Sequence, residues 1–405
     1  MTAARVRTTV GFGVVVAALA LSMPTGEAHK PITSKYTYND DVFPIFREKC
    51  SRCHVAGGVA PMSLMTYEEA FPWAESIRAE LIASHMPPWN AQDGYGEFKH
   101  AQLLTARELD VILTWATGGN PRGRLEQQLP AVALKNDWPL GAPDATLALP
   151  AFALAPDAME QVQEFTVAAG NGEPRFVRAV DLRPGTPAVV RSAVVSVKGA
   201  ADQPYAPEHV LLRWVPGADP ESVDKDGAAY RLPAHAELTV RVHYKKTWQY
   251  EGKALKDQST VGIYFAPEKA QELLVVPVAS SAETTPSDQK ITFSQTIDQD
   301  VRALALTPEQ VAPNISVQAQ AILPGGQRTP LIRLNTRADW ARRYWFEKPI
   351  ALPRGTRIEI VADLQDPDIL SAAYGAAAAP KPSVPPLPMR FSLNVVPAAA
   401  RASAP

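Results

Sequence analysis

Two periodicities divide the chain. Between residues 39 and 118 apolar positions recur at helical spacing. Beyond about residue 145 they alternate with a period of two. Thr66-Tyr67-Glu68-Glu69 has the form of a capping box, with Ala70, Phe71, Ala74, Ile77, Leu81 and Ile82 behind it at helical spacing. A second box, Thr105-Ala106-Arg107-Glu108, precedes Leu109, Ile112, Leu113 and Ala116, and Gly118-Gly119-Asn120-Pro121 stops that helix. A shorter helix starts near Asn39 and carries Val42, Ile45 and Phe46 towards Cys50.

The period-two region predicts strands over 175–182, 189–197, 210–215, 238–244 and 261–265. A later set covers 273–278, 301–306, 315–321, 331–334, 344–350, 356–362 and 390–396. The 38 prolines and 23 glycines fit many short strands joined by turns. The predicted class is therefore multidomain α + β: an N-terminal all-α domain, then two antiparallel, jelly-roll-like β-sandwiches. The expected boundaries are 29–121 for the helical domain, 122–145 for a polar linker, 146–275 and 276–397 for the sandwiches, and 398–405 for a disordered tail.

The first 28 residues read as a cleaved secretory signal. Arg5 and Arg7 precede the apolar run Val10 to Leu21, and Gly26-Glu27-Ala28 ends in small residues, so cleavage after Ala28 is expected. That run is shorter than the ~20 residues a spanning helix needs. The expected location is the periplasm, with no transmembrane segment in the mature chain. A net charge of −2 without a basic stripe excludes nucleic acid as the expected partner.

The only two cysteines lie three apart, in Cys50-Ser51-Arg52-Cys53-His54, so a disulfide framework is excluded. Cys-x-x-Cys-His is the pattern of c-type haem attachment: two thiols one helical turn apart bond the two vinyl groups, and the adjacent imidazole ligates the iron. A thioredoxin-like pair would want a βαβ context, and a zinc site would want two more Cys or His at matching spacing. Neither accompanies this motif. For the second axial ligand the candidates are Met62, Met65, His85, Met86 and His100. Met86 is favoured because the two prolines of Met86-Pro87-Pro88-Trp89 stiffen its loop. His85 competes with it, and a packing methionine is the plainer alternative. Arg52, Arg78 and Lys99 are candidates to pair with haem propionates, against a solvated-surface reading for each.

On these motifs, residues 39–121 resemble the small class I bacterial cytochromes c: Cys-x-x-Cys-His, a helix, a Met-Pro-Pro loop, then a capped last helix. More weakly, the remainder resembles the paired β-sandwiches of copper type II ascorbate-dependent monooxygenases, the peptidylglycine hydroxylase-like family. That likeness rests on residues 176–185, Leu232-Pro233-Ala234, Val242-His243-Tyr244 and 352–356. The resemblance implies two coppers held by imidazoles, yet only His243 matches. Arg191 and Ser192 stand where a His pair is implied, and Pro308-Glu309-Gln310-Val311 stands at the second site. Copper wants several imidazoles together, so copper is not expected, and His243 is at most a vestigial ligand. The expectation is an exported c-type cytochrome with one covalent haem, serving electron transfer to a redox partner protein that the sequence does not identify. A haem-fed copper monooxygenase and a gas-binding haem sensor are the alternatives.

Overall fold

A computed structural model describes residues 33–199, 209–266, 270–313, 315–337, 340–364 and 388–398. The expected signal and most of the expected tail lie outside them.

Among the described residues three short helices form: α1 (Tyr67–Ala70), α2 (Ala74–Ile82) and α3 (Ala106–Thr117). Before them, wide π turns at Tyr38–Val42 and Phe46–Cys50 flank one α turn at Phe43–Ile45. Pro72 separates α1 from α2. Proline cannot donate a backbone bond within a helix, and Phe71–Trp73 tightens to a 3-10 turn. The capping box of α3 is complete: Thr105 Oγ1 accepts from the Glu108 amide at 3.2 Å, and the Glu108 carboxylate accepts from the Thr105 amide at 2.7 Å. Tyr38, Phe46, Ile112 and Trp115 are fully buried between these pieces.

Nineteen strands follow among the described residues. The first eleven are β1 (Ala145–Ala148), β2 (Phe152–Leu154), β3 (Glu160–Ala168), β4 (Arg175–Arg183), β5 (Val190–Val197), β6 (Val210–Trp214), β7 (Ala228–Leu232), β8 (Glu237–Lys245), β9 (Leu255–Asp257), β10 (Thr260–Phe265) and β11 (Gln271–Glu272). A five-stranded sheet β1-β10-β4-β7-β11 packs on a four-stranded sheet β3-β8-β5-β6 over one core, which includes Val177, Val195, Val240 and Ile263. The others are β12 (Leu274–Ala279), β13 (Lys290–Thr296), β14 (Val301–Gln310), β15 (Ser316–Ile322), β16 (Arg328–Asn335), β17 (Tyr344–Leu352), β18 (Arg357–Asp363) and β19 (Arg390–Pro397). They make two four-stranded sheets, β12-β19-β14-β17 and β13-β18-β15-β16. A second core lies between those sheets, where alternate residues such as Val317, Ala319 and Ala321 of β15 point inward.

The expected all-α domain ahead of two purely antiparallel sandwiches is not what forms. The protein is mainly β, 39% strand against 15% helix, and its helices are short pieces. One pairing, β7 with β11, is parallel. The physical reason for the largest departure is the segment after α2. Instead of closing a helical domain, residues 89–99 add to the second β unit as an edge ribbon. Gln92 donates to the Arg333 carbonyl at 2.8 Å, and Lys99 donates to the Trp345 carbonyl at 2.9 Å. Ala91 pairs with Leu334 and Phe98 with Phe346. Trp89 and Phe98 pack edge-on against Tyr344, within the core of the β unit. Aromatic burial of this size outweighs the separation the sequence pattern implied.

Candidate functional site

Cys50 ends the second π turn, and the chain then turns back on itself. The amides of Cys53 and His54 both donate to the Cys50 carbonyl, at 3.1 and 2.9 Å. That single turn brings both thiols and the imidazole to one wall of a cavity of about 310 Å³. Its other walls are mostly apolar: Phe46 and Leu64 below, Trp73, Ile77 and Leu81 from the helices, Met86 and Pro87 from the loop, and Ile112 from α3. Gly58 keeps the turn tight, because a Cβ there would stand 2.3 Å from the Cys53 carbonyl oxygen.

Both cysteines are free thiols. Burial pushes the Cys50 thiol up to about 12, with the neighbouring Cys53 adding to it. Burial also raises Cys53, to about 11, against the pull of the Arg191, Arg342 and Arg52 guanidiniums. Reactive Cys-x-x-Cys pairs depend on a lowered thiol pKa, so this environment is the reverse of a thioredoxin-like one. Burial lowers the pKa of His54 and keeps its imidazole neutral. In that form Nδ1 lies 3.2 Å from the Met62 carbonyl oxygen, and a proton on Nδ1 leaves the lone pair on Nε2. A neutral imidazole oriented by a carbonyl on its far nitrogen is the arrangement metal-ligating histidines use.

Of the candidate second ligands, Met62 and Met86 both line the cavity. The Met62 carbonyl is bound at Nδ1, on the edge of the imidazole away from Nε2, whereas Met86 enters from the loop after α2. Met65 is buried in the helical core. His85 is drawn to Glu80, with Nδ1 3.0 Å from its carboxylate. His100 is drawn to Glu221 across a different cavity, at 3.1 Å.

The three expected propionate partners are already engaged. Arg52 ion-pairs with Asp219 and also donates to the Gly217 carbonyl. Arg78 binds Glu75 at 2.8 Å. Lys99 sits between Glu221 and Asp226, at 2.8 and 2.9 Å. The β units contribute residues that local sequence does not signal. Arg191 of β5 and Trp340 complete the cavity wall, and the guanidinium lies 5.7 Å from the indole centroid. The loop 216–219 covers the attachment turn so closely that a Cβ on Gly217 would stand 3.3 Å from Cys53 Sγ. Such contacts span 163 residues of sequence, and no motif marks them.

His243 lies elsewhere, on β8, with Nε2 2.7 Å from the Glu160 carboxylate and Ser192 as its cross-strand partner. The stretch 308–311 lines a separate cavity, where Glu309 ion-pairs with Arg213 and accepts from Ser392 at 2.7 Å. Among the described residues no group of three or more His, Cys, Asp or Glu is placed to hold a metal ion. No helix among them is long and apolar enough to cross a membrane.

The class these observations define is a mainly β protein with a short-helix layer built around a thiol- and imidazole-lined cavity. No family model matches the chain, and no curated protein matches it. The two family resemblances are therefore withdrawn together with the all-α domain they presupposed. Among solved structures, the chain is similar to a PBCV-1 virus capsid at 7% identity and a TM-score of 0.24, covering 62% of this chain and 93% of that one. It is similar to a Paenibacillus xanthan lyase at 10% identity and a TM-score of 0.16, covering 64% of this chain and 26% of that one. Likenesses at these scores define neither fold nor function.

Proposed function

We propose that this chain is an exported electron carrier with one covalent haem, attached through Cys50 and Cys53 and ligated by His54 and Met86. The observation that carries the reading is the cavity. It gathers two reduced thiols, a neutral imidazole with Nε2 available and a thioether, and apolar side chains surround them. Cys50 and Cys53 would hold the haem as two thioethers, each formed by net addition of a thiol S–H across a vinyl group, so no oxidant would be consumed. When bound, the haem supplies a one-electron couple at iron. The chain's own part is to hold His54 by the Met62 carbonyl, to present a sulfur ligand that favours the reduced state, and to exclude water. The thiol environment and the missing donor partners weigh against the thioredoxin and zinc alternatives. For copper at His243 the chain offers a carboxylate-paired imidazole on a strand, and among the described residues it belongs to no group of three or more possible metal ligands.

The test is the absorption spectrum of oxidised and reduced protein matured in a host that attaches haem c. The expected result is a low-spin haem spectrum with the weak sulfur-to-iron band at the red end. Met86→Ala should abolish that band and lower the midpoint potential while leaving the haem covalently attached. If Met86→Ala retains the band, Met86 is not the ligand.

A further inference from the structure

Arg342 lines the neighbouring cavity that holds Asp219 and Glu221, and it meets the thiol-bearing cavity through Pro88 on that cavity's wall. It is 6% exposed, and its Nε has no partner. Its Nη2 donates to the Pro88 carbonyl at 2.9 Å, and its guanidinium carbon lies 5.3 Å from the Trp89 ring centroid. Among the described residues no carboxylate pairs with it. The neighbouring buried guanidiniums are served differently. Arg213 has Glu309, and Arg343 donates to the Tyr230 hydroxyl and to the carbonyls of Val210 and Leu211. A buried charge without a counter-charge is strongly unfavourable, and a guanidinium fork matches a carboxylate.

Position supplies the rest. The carbonyl that Arg342 holds belongs to Pro88, and Pro88 lines the thiol-bearing cavity. Arg191 lines the same cavity from the other β unit. Arg52, Arg78 and Lys99, the propionate partners the sequence suggested, already have carboxylates of their own.

Resting on the haem reading above, we propose that Arg342, with Arg191 beside it, supplies the counter-charge for the propionate carboxylates of the haem. The β units then complete the haem site: the helical layer provides covalent attachment and axial ligands, and the β units provide the charge that sets the potential. A cation beside the propionates favours the reduced haem. Its removal therefore lowers the midpoint potential.

The full chain, matured with haem, is compared with Arg342→Gln, Arg342→Lys, Arg191→Gln and the control Arg78→Gln. Covalent haem is read by haem stain after denaturation, and the midpoint by spectroelectrochemical titration. Propionate contact is read from the carboxylate bands in the reduced-minus-oxidised infrared difference spectrum. We expect R342Q to keep its haem, lower the midpoint relative to R78Q and shift the carboxylate bands, and R342K to recover most of the midpoint. Should R342Q fail to accumulate, the same two readouts on R191Q decide. A midpoint and carboxylate bands in R342Q that coincide with those of R78Q overturn the proposal while the haem reading stands. A wild-type chain without haem stain overturns the haem reading itself.

Discussion

The second β unit and the helical layer treat their apolar side chains in opposite ways. In the β unit Ile291, Val317, Ala319, Ile332 and Leu393 have no exposed surface, and facing sheets fill the space between them. In the helical layer Met62, Trp73, Leu81 and Leu104 are only half-buried, because they face a cavity of about 310 Å³. The first core is complete in its own side chains. The helical layer's core is left open by its own side chains, and the two thiols and the imidazole stand on that open wall.

The largest effect that would sharpen this contrast is removal of both thiols. Cys50→Ala with Cys53→Ala should abolish covalent haem completely and leave the helical layer poorly packed. Its near-ultraviolet dichroism from Trp73 and Trp115 should weaken while the far-ultraviolet β signal persists. Next, Phe391→Ala in the filled core should cost about 3–5 kcal/mol in denaturant unfolding and leave the spectrum of the matured protein unchanged. Phe391 is fully buried against Phe293 in the core of the second β unit. A spectrum that moved with Phe391→Ala would break the proposed separation between the two cores.

Asp181 gives a smaller effect that depends on pH. Burial raises its carboxyl from 3.8 to about 6, with the charge of Asp219 adding to the shift and the Leu182 amide opposing it. Between pH 3.8 and pH 6 the unfolded chain has released this proton while the folded chain still holds it, so rising pH favours unfolding. The contribution is favourable below about pH 3.8 and lost by about pH 6, up to about 3 kcal/mol in all. Asp181→Asn should remove this segment from the stability–pH profile and raise stability at neutral pH. An unchanged profile would show that the carboxyl is ordinary. The smallest effect is at the helix cap: Thr105→Ala should cost about 1 kcal/mol, read as a modest fall in unfolding midpoint with haem attachment intact.

Much of the architecture was legible where one physical cause dominates. The alternation in 315–321 marked β15 to within a residue at each end, because one face of that strand is buried; 175–182 marked β4 as closely, although Ala179 to Leu182 are buried in succession. The capping box at Thr105 marked the start of α3 for the same local reason. Where several causes compete, the pattern misled. Pro72 breaks what reads as one helix, and Phe71, counted as an inward residue, is 45% exposed. Strand β3, Glu160–Ala168, went unseen because it is an exposed edge strand with few apolar positions. The all-α domain failed because Trp89, Ala91 and Phe98 gain more burial in the second β unit than in a helical domain of their own. At the site, Cys50, Cys53, His54 and Met86 were legible from spacing and loop chemistry, and the structure places all four on one cavity. Arg191 and Trp340 were not, since only the packing of the β units on the helical layer brings them there.

The whole account turns on a thioether-bound porphyrin, and the intact mass of the mature chain tests that directly. Purified protein from a haem-maturation-competent host, denatured and extracted with acid–acetone, should keep its colour and weigh one haem more than its polypeptide, with both cysteines blocked to alkylation. A colourless chain at the bare polypeptide mass with two reactive thiols would contradict it.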